Sequence, residues 1–114
     1  MTQADTLAAF LAPSPHVEAD HPGIRALAER VTQGLTDPRE RAVALYYAVR
    51  DDFRYDPYGI ELSGRCFKAS TVFEAGAGFC IGKATLLAAV CRAVGIPARL
   101  RFADVRNHLS SPRL

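Results

Sequence analysis

Gly76-Ala-Gly-Phe-Cys80-Ile-Gly-Lys-Ala-Thr-Leu-Leu-Ala-Ala-Val-Cys-Arg-Ala-Val-Gly95-Ile-Pro97 is the stretch around which the rest of the chain is organised. Its first five residues are a glycine turn that delivers a cysteine. From about Cys80 to Val94 the pattern is one apolar helix. Gly95 is the expected left-handed residue after its end, and Pro97 prevents continuation. The Cys80 sulfur then stands at a helix N-terminus, where unpaired N–H groups and the positive end of the dipole favour an anion. A nucleophile with N–H donors beside it has half the equipment for acyl transfer, the second half being an acid–base partner.

Outward from this helix, Ala98-Arg-Leu-Arg-Phe-Ala103 alternates with period two, Leu100 and Phe102 on one face and Arg99 and Arg101 on the other. That predicts a half-buried strand over 98–104. One strand is an incomplete sheet, so partners are expected from the region 53–62, from a second copy of the chain, or from sequence beyond Leu114.

Upstream, Leu7, Phe10 and Leu11 have helical spacing and predict a short docking helix over 4–11, ended by Pro13 and Pro15. Asp20 is the expected N-cap of the next helix, with Pro22 in its first turn, the stripe Ile24, Leu27, Ala28 and Val31, and Gly34 at its close. Asp37-Pro-Arg-Glu40 predicts a capping-box-like start to a helix that ends near Asp52. The two helices are expected to form a hairpin. A short extended piece and a loop follow through about residue 68, then a helical turn over 70–75. The aromatic residues of 53–58 either line a cleft, with Tyr55 and Tyr58 as candidates, or fill the helical core.

Composition sets limits. The 114 residues are 49% hydrophobic and 23% charged with net charge +2, ordinary for one globular domain and too weakly basic to point to nucleic acid or an anionic membrane. No membrane span and no signal peptide is readable. The three cysteines, Cys66, Cys80 and Cys91, are an odd number without framework spacing, which points to reduced thiols and a cytoplasmic location. Cys91 lies mid-helix among Ala and Leu and is expected in the core, while Cys66 has one arginine beside it and no activating arrangement. His16 and His21 are expected on the surface. No Cys-x-x-Cys pair is present, so no metal site is expected.

The run Gly78-Phe-Cys80-Ile-Gly-Lys83-Ala84-Thr-Leu86-Leu87-Ala88 through Arg92-Ala93-Val-Gly95-Ile96-Pro97-Ala98-Arg99 resembles the nucleophile motif of the transglutaminase-like superfamily. In that family a Gly-x-Cys opens a long apolar helix, and a Gly-Ile-Pro-Ala-Arg turn leads into a sheet. The helix before Phe53-Arg-Tyr55 and the run Phe102-Ala-Asp-Val-Arg-Asn-His108, similar to a bacterial subgroup, agree with it over roughly residues 20–110. The resemblance implies a papain-like α+β fold and a Cys-His-Asp triad with Cys80 as nucleophile and backbone oxyanion donor. It implies a peptide or protein amide substrate and no cofactor. Tyr55, Tyr58, Gly78 and Phe79 are the candidate cleft residues. The only histidine downstream, His108, lies 28 residues after Cys80 and is the candidate base. Asp104 and Asn107 are its candidate orienting partners. The family's later strands, with their histidine and aspartate, have no counterpart here. The expectation is therefore one incomplete domain over 1–114: a docking segment (1–19), a helical hairpin (20–53), a loop region (54–79), the nucleophile helix (80–94) and a strand (98–104). Turnover by the isolated chain is expected to be low. The competing expectation is a non-catalytic interaction domain that docks a partner, or a second copy in a homodimer, through its exposed strand.

Overall fold

The computed structural model describes residues 7–56 and 65–101. A single helical turn at 7–9 is the described part of the expected N-terminal helix. The main elements are α1 (Pro22–Val31), α2 (Pro38–Asp52), β1 (Arg54–Tyr55), a 3-10 turn (Arg65–Phe67), α3 (Ala69–Ala75), β2 (Ala77–Gly78) and α4 (Cys80–Ala93). Helix dominates, and β1 and β2 form one two-stranded parallel ribbon.

Several helix boundaries show their capping groups directly. Asp37 caps α2, its Oδ1 accepting from the Arg39 amide at 3.1 Å, with Pro38 in the first turn where no N–H is needed. Helix α1 is capped by His21 and not by Asp20. The His21 Nδ1 accepts from the amides of Gly23 and Ile24 at 3.1 and 3.4 Å. The side chain expected on the surface is thus half-buried and bonded, whereas His16 is exposed. At the far end of α4, Gly95 has φ +83°. The Ile96 amide bonds back to the Cys91 carbonyl at 2.9 Å and the Gly95 amide to the Arg92 carbonyl at 3.1 Å. These are the two bonds of a Schellman stop, so the glycine serves the purpose expected of it.

α4 is the central element, in contact with α1, α2 and α3. Leu86, Ala89 and Val90 are fully buried, and Ile24, Leu27, Ala28, Leu45, Val49 and Val72 of the other helices complete the core around them. The alanines let neighbouring backbones approach closely. One face of α4 stays open: Ala84 and Leu87 floor an apolar groove whose walls are Tyr46 and Val49 and whose rim is Arg50 and Lys83. The same floor continues along Ala88 and Cys91 to residues 98–101.

The N-terminal segment closes the other side. Val17 and Ala19 are buried. The His16 carbonyl accepts from the Ala69 amide at 2.9 Å, and Glu18 Oε1 accepts from the Ser70 amide at 3.2 Å and hydroxyl at 2.8 Å. Glu18 thereby serves the start of α3, whose own N-cap residue Lys68 makes no side-chain cap bond.

The strand expected over 98–104 is absent from its described part. Residues 98–101 carry no strand pairing. The reason is where the polar groups of Ala98 go: its amide donates to the Phe10 carbonyl at 3.0 Å, and its carbonyl accepts from Arg92 Nε at 2.8 Å. The Arg99 guanidinium lies over the Phe10 ring, 5.3 Å from its centre. A ribbon forms instead between Arg54–Tyr55, in the short extended piece expected after α2, and Ala77–Gly78, in the expected glycine turn. Arg54 pairs with Ala77 and Tyr55 with Gly78, through bonds from the Arg54 amide to the Gly76 carbonyl and from the Asp56 amide to the Gly78 carbonyl, both 2.9 Å.

Candidate active site

Cys80 reaches its position through a sequence of constrained backbone steps. α3 stops at Gly76, whose φ of +68° turns the chain with a conformation that L side chains rarely adopt. Ala77 and Gly78 are then held in the ribbon against Arg54 and Tyr55. Phe79 is buried, its ring set edge-on to Phe67 with centroids 5.4 Å apart, and it is the N-cap residue of α4. Cys80 follows as the first helical residue and is exposed.

Two glycines let this turn wrap around Val72 of α3. A β-carbon on Gly78 would stand 2.7 Å from the Val72 Cγ2. On Gly82 it would stand 2.9 Å from the same methyl and 2.7 Å from the Cys66 carbonyl oxygen. Val72 is 2% exposed, so it has no room to yield. Sequence reasoning did not single out Gly82 or Val72. The available signal was a glycine in the first turn of an otherwise apolar helix, a placement that costs about 1 kcal/mol relative to Ala and invites an explanation by close approach.

Phe79 makes no side-chain cap bond, and no acidic residue occupies the first turn of α4. The amides at this end are therefore not covered by the capping side chain, and Cys80, the first helical residue, is exposed. One turn on, Lys83 Nζ donates to the Arg50 carbonyl at 3.1 Å, tying the start of α4 to the last turn of α2. The Arg50 guanidinium grips Asp51 through two bonds, 2.8 and 3.2 Å, and lies over the Tyr47 ring at 4.5 Å. That pairing raises the Arg50 pKa and lowers that of Asp51.

The family signature is met over about three-quarters of the chain: the transglutaminase-like superfamily core matches residues 25–111. The chain belongs to the transglutaminase-like superfamily. No curated protein and no solved structure gives a significant match.

The candidate residues of this transglutaminase-like domain separate in space. Gly78 and Phe79 line a cleft together with Arg54, Asp56, Cys66 and Thr71. Among the described residues, neither Tyr55 nor Cys80 lines that cleft. Tyr55 is 56% exposed on β1, and it is Phe53, not Tyr55, that enters the core. Tyr58, Asp104, Asn107 and His108 lie outside the described residues. Cys66 and Cys91 are buried. Burial pushes the Cys91 thiol up to about 11, as expected of a core cysteine. Among the described residues no group of three or more His, Cys, Asp or Glu side chains could hold a metal ion. No described helix is long and apolar enough to cross a membrane.

Proposed function

We propose that this domain performs cysteine-dependent acyl transfer or amide hydrolysis, with Cys80 as the nucleophile. The observation that carries the reading is the exposed Cys80 at the first position of α4, next to first-turn amides that the N-cap side chain leaves uncovered. The thiolate adds to the carbonyl carbon of a carboxamide or peptide bond, forming a C–S bond and an oxyanion, with the Cys80 amide as its proposed donor. Collapse of this adduct breaks the C–N bond, the amine leaves with a proton from a histidine, and a thioester remains on the sulfur. Water or a second amine then takes the acyl group. His108 is the proposed acid–base partner. The chemistry calls for no metal or organic cofactor.

An activated ester tests the nucleophile by itself, because a nitrophenolate leaves without a proton donor. After brief exposure to p-nitrophenyl acetate near neutral pH, mass spectrometry should find the acetyl group on the Cys80 peptide, releasable by hydroxylamine. Acetylation confined to Cys66, Cys91 or lysines, with Cys80 untouched, would remove Cys80 from this role. A labelled primary amine added to the acylated protein then separates transfer from hydrolysis.

A further inference from the structure

We propose that His21 is a proton-operated latch, holding the start of α1 closed against the C-terminal end of α3 while its ring is neutral. The assignment rests on which atoms of the ring are used. Nδ1 accepts from the amides of Gly23 and Ile24, at 3.1 and 3.4 Å. A ring nitrogen accepts only while it carries no proton, so the neutral form has its hydrogen on Nε2. Nε2 faces Glu74 of α3, with Oε1 3.8 Å away. The ring edge also meets Phe73 of α3, centroids 5.7 Å apart, and Phe73 in turn packs beside Phe53.

Both cap bonds depend on one lone pair. When the imidazole takes up a second proton, Nδ1 becomes a donor facing two other donors. The ring must leave the cap, and the first turn of α1 loses the side-chain acceptor that His21 supplies. Among the described residues Glu74 on the facing helix is the charged group paired with the ring; His16, Glu18, Asp20 and Arg25 are its neighbours in sequence. Glu74 attracts the protonated ring, but the carboxylate is 67% exposed, so the attraction is screened and does not restore the cap. Glu18 is already bonded to Ser70.

The latch bears on the candidate site through the chain itself. Phe73 and Glu74 are the last turn of α3, and Gly76, Ala77 and Gly78 carry the chain from there to Cys80. Release of the ring removes one contact from the end of α3 that this turn hangs from. The inference is independent of the acyl-transfer reading, since it concerns a cap and not the nucleophile.

Hydrogen exchange on the intact chain, read amide by amide, tests it. Protection factors for Gly23 and Ile24, corrected for the intrinsic pH dependence of exchange, should fall about fivefold or more between pH 8 and pH 5, in step with the His21 ring signals. At pH 8 a long-range nitrogen–proton spectrum should show the Nε2–H tautomer. His21→Asn keeps a capping oxygen that does not titrate, and its Gly23 and Ile24 protection should be flat across the same range although the other histidines are retained. Glu74→Gln should leave the pH-dependent loss in place. Protection that does not change with pH in the unsubstituted chain, an Nδ1–H tautomer at pH 8, or a loss that disappears in Glu74→Gln would each overturn the proposal.

Discussion

Gly82 faces the carbonyl oxygen of Cys66 so closely that a β-carbon would stand 2.7 Å from it, inside any normal contact distance. Backbone, unlike a flexible side chain, cannot swing aside, and Val72 blocks the other direction at 2.9 Å. Gly82→Ala should therefore destabilise the domain by about 1–3 kcal/mol, the usual range for overpacking, despite the better helix propensity of alanine. A urea midpoint lowered at unchanged slope is the expected result. Gly95→Ala makes the useful contrast. Nothing lies within 4 Å of that position, so its cost is only that of a left-handed conformation, about 1–2 kcal/mol. Cys66 should become more reactive towards thiol reagents in Gly82→Ala and not in Gly95→Ala.

The three thiols should separate cleanly under alkylation. Cys80 is exposed, while Cys66 and Cys91 are 4% and 7% exposed. Only the thiolate alkylates, and Cys91, pushed up to about 11, remains protonated throughout the neutral range. Substoichiometric iodoacetamide at pH 7.5 should place nearly all label on the Cys80 peptide, and Cys91 should react only once the domain is unfolded. Equal labelling of the three under native conditions would mean that the core is not packed as described.

Cap substitutions should differ in proportion to what each side chain does. Asp37→Ala removes the bond to the Arg39 amide and should cost about 0.5–2 kcal/mol in chemical denaturation. Lys68→Ala, at an N-cap position with no side-chain cap bond, should cost only a few tenths. Glu18→Gln, which weakens the bonds that serve Ser70, should fall between them and should selectively lower protection of the Ser70 amide.

What the sequence discloses and what it conceals follow from the range of the forces involved. The start of α4, its apolar body and its Gly95 stop are legible because glycine, proline and an unbroken apolar run act locally. The N-cap of α1 was misplaced by one residue. A carboxylate at Asp20 is the stronger local signal, but Phe73 and Glu74, some fifty residues away, hold the His21 ring over the amides. The alternation at 98–103 does describe exposed arginines, but alternation specifies faces and not pairing. Ala98 gives its amide and carbonyl to Phe10 and Arg92. The β1–β2 ribbon is only two residues long and joins positions more than twenty apart, which no periodicity reveals. Cys80 was legible from its neighbours. The pinch of Gly78 and Gly82 around Val72 was not, because it depends on how α3 docks.

Alkaline stability gives the last test, through Cys91. Cys91 is buried on α4, and burial alone raises its pKa from an ordinary value near 9 to about 11. A folded-state value above the unfolded one means that the unfolded chain gives up the proton first. The contribution of this group to stability is thus complete below about pH 9 and is lost as pH rises from about 9 to about 11. The loss should be on the order of 2 kcal/mol, since each pKa unit corresponds to about 1.4 kcal/mol. Tyrosines and lysines also titrate in this interval, so the informative quantity is the difference between the unsubstituted chain and Cys91→Ala. The variant should be less stable at pH 7, by the methylene-scale packing loss of a truncated sulfur, yet should lose less stability between pH 9 and pH 11. Parallel pH profiles for the two proteins would show that Cys91 is not desolvated in the folded state.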